Sequence, residues 1–162
     1  MQFFRHRLLL FFLSLVPQAA VWCEESAPTR RSEAPYVLGL NSGHPGVSWL
    51  GAHAALQLQP DLQIQLSHGY FSKDEFQIHS TALSTKVFFV EENLSPYLVL
   101  GLTGIRLKGD GRFAGLDSSA LLAHFGIGLE YFFEQGLRLS LGWLAHAPIR
   151  LQIPFVELGF GF

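Results

Sequence analysis

The sequence predicts an all-β fold: an eight-stranded antiparallel up-and-down transmembrane β-barrel. The chain of 162 residues is 49% hydrophobic and only 15% charged, whereas about 25% charged residues is usual in soluble domains. After the amino-terminal segment, no apolar run reaches the roughly 20 residues that a membrane-spanning helix needs. Apolar and polar residues instead alternate with a period of two, which is the pattern of strands that have one apolar face.

The amino-terminal residues have the pattern of a secretory signal. Arg5 and Arg7 give a basic start, and an apolar run over residues 8–16, too short to span a bilayer, is ended by Pro17. This pattern predicts a signal peptide over residues 1–23 and therefore export of the protein.

The cleavage site within this region has two candidates. Val21 and Cys23 suit the positions before a cleavage site, and Ala20 is an alternative. Acylation of Cys23, as in a lipoprotein, is disfavoured because the bulky Trp22 precedes it. Cys23 is the single cysteine, so no intramolecular disulfide forms. The polar residues 24–34 are predicted to be a short, disordered periplasmic lead-in.

The barrel is predicted to occupy residues 35–162, as eight strands of roughly ten residues joined by turns. The expected strands are residues 35–42, 47–59, 62–71, 76–90, 96–108, 121–131, 137–144 and 150–162. Short turns follow the second, fourth and sixth strands, and the longest connection, residues 109–118, follows the fifth. Short turns after even-numbered strands and a long connection after an odd-numbered strand are typical of barrels with periplasmic turns, outer loops and both termini in the periplasm.

The two faces of the strands differ in chemistry, and this predicts their direction. In a membrane barrel the apolar face points to lipid and the polar face lines the lumen. The interior of eight strands is just wide enough to be filled by side chains, and many small residues on the polar face make room for long ones. The expected lumen network comprises Lys86, Arg106, His124, Glu130, Arg138 and Glu157. A lipocalin-like soluble barrel, with the apolar face inward, is the alternative.

The fifth strand is ambiguous because apolar residues occupy both of its faces. Either Tyr97, Val99 and Ile105 or the leucines between them point outward. We favour the first arrangement because it turns Arg106 into the lumen. Arg138 is then expected to pair with Glu130 or Glu157 on neighbouring strands, since an unpaired buried charge is costly.

The last strand, residues 150–162, resembles the terminal strand of bacterial outer-membrane β-barrels. Its apolar residues alternate with Glu157 and two glycines, and it closes on Phe162. The resemblance implies a location in the cell outer membrane, contact with outer-membrane lipid or lipopolysaccharide, and insertion by the barrel assembly machinery through this strand. The net charge of −2 gives no indication of nucleic-acid binding.

A second resemblance, over roughly residues 96–162, is to the lipid A 3-O-deacylase barrels. The Ser95-Pro96-Tyr97 entry to the fifth strand, the glycine-rich strands after it and a late histidine carry it. It implies an eight-stranded esterase in which His146 is the catalytic histidine and Glu157 stands for the acid of a Ser-His-Glu triad.

The residues needed for that activity are incomplete. The family has a His-x-Ser-Asn stretch, but Pro148 stands at the position of its nucleophilic serine and Ile149 at that of its asparagine. Without a hydroxyl beside it, His146 has nothing to deprotonate. No His-x-His or Cys-x-x-Cys spacing occurs, so we expect no metal and no cofactor. The sequence favours a plugged barrel with a structural or surface-interaction role. An inactive or active esterase relative and a narrow pore are the alternatives.

Overall fold

In the computed structural model of this chain, the described residues are 30–43, 50–73, 75–148 and 151–162. The signal peptide predicted over residues 1–23, its cleavage site and Cys23 lie outside them. Neither described helix is long and apolar enough to cross a membrane. These helices are α1, Arg30–Glu33, and a single 3-10 turn, Gly111–Phe113.

The remaining elements form one closed barrel in which each strand pairs antiparallel with the next along the chain, and the last pairs with the first. This confirms the eight-stranded up-and-down barrel. The strands are β1 (Tyr36–Ser42), β2 (Leu50–Gln59), β3 (Leu62–Lys73), β4 (Phe76–Phe88), β5 (Leu94–Gly109), β6 (Asp117–Phe132), β7 (Leu137–Ala147) and β8 (Leu151–Gly161).

The two ends of the barrel differ. At one end, the terminal end, α1 and the start of β1 lie beside the end of β8, and Tyr36 and Phe162 exchange backbone hydrogen bonds of 3.2 and 2.9 Å. At the opposite end, the loop end, residues 110–116 connect β5 to β6. β5 and β6 have 16 residues each and extend into the segment that the sequence predicted to be loop.

Burial alternates along the strands as the sequence predicted, with leucines and aromatic residues outside and polar or small residues inside. The prediction that Tyr97, Val99 and Ile105 of the fifth strand point outward is wrong. Tyr97 and Val99 are each 1% exposed and point into the barrel, while Leu100 and its neighbouring leucines point outward. The reason is the pairing with β4, which sets Leu102 opposite the outward Leu83, and partners across a ladder share a face.

Tyr97 belongs to the apolar part of the interior, together with Phe88, Val99, Leu144 and Phe155. Glycines on adjacent strands make room for these rings. A Cβ atom added at Gly128 would lie 2.5 Å from the Tyr97 ring and 2.8 Å from a backbone oxygen of β7. Interior glycines are therefore a packing requirement of this narrow barrel.

The first testable consequence concerns these glycines. Gly128→Val should lower the free energy of unfolding by about 1–3 kcal/mol, because overpacking forces ring and backbone apart. Gly104→Val is the matched control, since a Cβ atom there has nothing nearer than a backbone oxygen at 3.8 Å. Urea unfolding of both variants in lipid vesicles measures the difference, and equal losses would contradict the assigned interior.

Candidate functional site: the charged lumen

The terminal end of the lumen is closed by a residue that precedes the first strand. Arg31 of α1 is 3% exposed, and its Nε donates a 3.1 Å hydrogen bond to Glu130 Oε1. Its guanidinium lies 4.1 Å from the centre of the Phe88 ring, a cation–π geometry. Ser140 Oγ donates to the other Glu130 oxygen at 3.0 Å. The expectation of a disordered lead-in therefore does not hold for residues 30–34.

Arg138 lies beside this pair but is held mainly by amides. Its Nη2 donates to the backbone oxygen of Ala34 at 2.8 Å, and its Nη1 donates to Gln63 and Gln57 at 3.2 and 3.3 Å. The contact with Glu130 is 4.0 Å, so the predicted pairing with that residue holds only as a long contact. Glu157, the other expected partner, is engaged elsewhere.

The middle of the lumen is occupied by an ion pair between opposite walls. Lys86 Nζ on β4 donates to Glu157 Oε2 on β8, and each residue is 2% exposed. Gln65 Nε2 donates to the second oxygen of Glu157 at 2.7 Å. The Lys86 ammonium also lies 4.8 Å from the centre of the Tyr97 ring. The Glu157 carboxylate thus accepts hydrogen bonds from β3 and β4, and the Lys86 ammonium lies between this carboxylate and the Tyr97 ring.

Toward the loop end, His124 lies between two hydroxyls. Its Nε2 is 3.0 Å from Ser84 Oγ, and its Nδ1 is 2.8 Å from Thr103 Oγ1. The His146 ring lies 5.7 Å away from it. No group of three or more potential metal ligands occurs among the described residues. This layer is held together by hydrogen bonds between the histidine and the two hydroxyls.

Of the six residues predicted for the lumen network, five are buried inside the barrel: Lys86, His124, Glu130, Arg138 and Glu157. Arg106 is not among them. It lies on the outer surface, where its guanidinium forms a bidentate pair with Asp117 at 3.1 and 2.7 Å. The alternation of side chains along β5 turns Arg106 outward, because a residue nine positions from the inward Tyr97 lies on the opposite face of the strand. Sequence reasoning missed Arg31, whose polar surroundings along the chain gave no sign of burial.

The structure does not assemble the triad implied by the deacylase resemblance. In the β7–β8 ladder, His146 is opposite Leu151 whereas Ser140 is opposite Glu157. Positions 151 and 157 are six residues apart, or about 20 Å along a strand, so His146 and Glu157 occupy different layers. Ser84 and His124 are within hydrogen-bond distance, and both are at most 2% exposed.

The space left among the charged side chains is very small. The cavity bordered by Lys86, Glu130, Arg138 and Glu157 has a volume of about 10 Å³, close to the least that one water molecule needs. The side chains themselves therefore close the lumen at this level.

The fold, with its apolar outside and filled, charged inside, defines the class of small eight-stranded barrels of the outer-membrane type. The chain is similar to the N-terminal β-barrel domain of OprF from Pseudomonas aeruginosa, with 17% identity, a TM-score of 0.64 and coverage of 80% of this chain and 98% of that one. It is also similar to Neisserial surface protein A, with 17% identity, a TM-score of 0.55 and coverage of 78% and 96%. At such identity the likeness is one of fold. No protein-family model and no curated protein matches the sequence.

The central ion pair gives the second prediction. Lys86→Met should lower the free energy of unfolding by about 3–5 kcal/mol, because it leaves the Glu157 carboxylate buried without its cation. Glu157→Gln alone should also destabilise the barrel. The double variant should lose less than the sum of the two, since no charge is then stranded. Additive losses in urea unfolding of the three variants would show that the two residues are not coupled.

Proposed function

We propose that this protein is a small outer-membrane β-barrel whose closed lumen makes it a rigid membrane anchor with a structural or surface-interaction role. The observation that carries the proposal is the inverted distribution of polarity. Leu83 is 57% exposed on the outer face, whereas Lys86, three residues further along the same strand, is 2% exposed inside. Water would favour the opposite arrangement, and a hydrocarbon surrounding favours this one. This argues against a lipocalin-like soluble barrel.

The length of β5 supports a membrane location. Along β5, the outward residues run from Leu94 at the terminal end to Arg106 near the loop end. At a rise of about 3.3 Å and a tilt of about 40°, the twelve residue steps from Leu94 to Arg106 span roughly 30 Å along the barrel axis. An outer-membrane barrel has an apolar band of about 25 Å, so β5 is long enough to cross it and extend beyond.

Exposed aromatic residues at the terminal end fit one membrane interface. Tyr131 and Phe133 contact each other with ring centres 4.6 Å apart, and Tyr36 lies 6.1 Å from Phe162. Such amphipathic rings concentrate where hydrocarbon meets headgroups. Together with the predicted signal peptide, this favours export, outer-membrane lipid as the surrounding, and insertion by the barrel assembly machinery through β8.

A narrow pore is the competing role, because the lumen carries charges of both signs. Three layers of hydrogen-bonded side chains cross it, at Arg31, at Lys86 and at His124. Ion passage would require these contacts to break together, at a cost that includes unpairing buried charges. The geometry therefore favours a closed barrel, in which interactions occur at the surface.

The third prediction tests whether lipid surrounds the apolar outer face of the barrel. Leu100→Arg, midway between Leu94 and Arg106, should destabilise the folded barrel in lipid vesicles by about 2–4 kcal/mol, because the charge lies near the bilayer midplane. Leu94→Arg, on the same face at the interface, should cost only about 0–1 kcal/mol. Small and equal effects at the two depths would point to a barrel surrounded by water.

The fourth prediction tests closure. The refolded protein in a planar bilayer should give no ion-conductance steps, since side chains fill the lumen. The double variant Lys86→Ser with Glu157→Ser should give no steps either, because the layers at Arg31 and His124 still cross the lumen. Reproducible steps from the unaltered protein, absent from a preparation without it, would favour the pore instead.

A further inference from the structure

A groove lies on the outside of the barrel near the loop end, across β4, β5 and β6. It has a volume of about 500 Å³, and its lining includes His79, Thr81, Gly104, Arg106, Ser119 and Leu121, together with Ile105 and Ala120 between them. The side chains of His79, Thr81, Arg106, Ser119 and Leu121 point outward, since Ser80, Thr103 and Leu122 on the same strands are buried in the lumen. Gly104 forms the floor, where the missing side chain leaves open space.

The walls of the groove are polar in a part of the surface that is otherwise apolar. Arg106 uses Nε and Nη2 to bond Asp117. A guanidinium has five N–H donors, so Arg106 keeps donors for a further acceptor. The hydroxyls of Thr81 and Ser119 flank it, and His68 Nδ1 lies 2.9 Å from Thr81 Oγ1. His79 packs on Tyr70, with ring centres 5.0 Å apart. This combination suits an anionic, hydroxyl-rich headgroup.

Two cationic side chains of β5 lie at this level. Arg106 and Lys108 both point outward from β5, and Lys108 pairs in the ladder with Asp117 on β6. Two cations thus surround one carboxylate on these adjacent strands. A phosphate oxygen would accept charge-assisted hydrogen bonds from the guanidinium.

The depth of the groove decides which kind of anion can reach it. Leu121, 70% exposed, lies at its lower edge, and the outward leucines of β4 and β5 continue below it. Arg106, roughly 30 Å above Leu94, lies where hydrocarbon gives way to headgroups. A ligand here therefore places acyl chains on the leucines and its headgroup against Arg106.

We propose that this groove binds the phosphorylated sugar headgroup of a lipid in the outer leaflet. Arg106 holds the phosphate, Thr81 and Ser119 bond to phosphate or sugar oxygens, and the acyl chains lie along Leu121. The volume of this open depression exceeds that of a lone phosphate ion. The inference rests on the proposed function, because the loop end must face outward for such a lipid to lie beside it.

The test uses the refolded full chain in detergent micelles and native mass spectrometry of its lipid complexes. Bisphosphorylated lipid A should bind roughly tenfold or more tightly than the same lipid after phosphate removal, as loss of a charge-assisted hydrogen bond predicts. Glucosamine phosphate without acyl chains should not compete at comparable concentration. Equal binding of the dephosphorylated lipid, or full competition by the soluble phosphosugar, would overturn the proposed ligand.

Two variants and a matched control locate the site. Arg106→Gln and Gly104→Trp should each lower lipid A affinity by roughly tenfold, the first by removing the cation and the second by filling the floor. Arg112→Gln makes the same change of charge in the loop, at an 87% exposed side chain bonded to Glu75, and should bind like the unaltered chain. Unchanged affinity in both groove variants, or an equal loss in the Arg112 control, would reject the groove.

Failure of this inference can be told from failure of the proposed function. Folding of each variant is checked by far-ultraviolet circular dichroism and by insertion into lipid vesicles. A chain that inserts normally but does not distinguish phosphorylated from dephosphorylated lipid counts against the groove alone. A chain that does not insert at all counts against the membrane location itself.

Discussion

Closure of the ladder between β1 and β8 is the constraint on which the rest of this structure depends. A closed sheet pairs its backbone donors and acceptors around the whole circle and leaves no edge strand. It also gives every side chain one of only two destinations, the lumen or the outer surface. Because Val37 pairs with Gly161 and Leu38 with Phe160, the alternation of the last strand continues into the first without a shift of face.

Closure also makes the lumen a small, fixed volume, and the interior is organised around that limit. Large residues such as Tyr97 and Phe155 face glycines on the neighbouring strands. The charged residues Lys86 and Glu157 reach across the remaining space and meet each other. The Tyr97 and Phe155 rings therefore depend on glycines nearby, and the Lys86–Glu157 pair depends on strands that are distant along the chain.

The outer surface follows a different rule, because its chemistry changes with height. Leucines cover the middle, aromatic residues gather at the terminal end, and polar residues replace the leucines on β4–β6 near the loop end. The same period-two alternation that sends Lys86 inward sends Arg106 outward. The alternation along the strand decides whether a residue faces the lumen or the outside. The height of the residue along the barrel axis decides whether water, headgroups or hydrocarbon surrounds it.

The sequence by itself determined the number of strands, their order and, on seven of them, the face that each residue takes, since alternation is a local pattern. On β5 both faces are apolar, so only the register against Leu83 decided that Tyr97 points inward and Arg106 outward. The pairing of Arg31 with Glu130 and of Lys86 with Glu157 joins residues that are 99 and 71 positions apart. No local pattern specifies such partners, because they depend on which strands the closed circle places opposite each other and at what height.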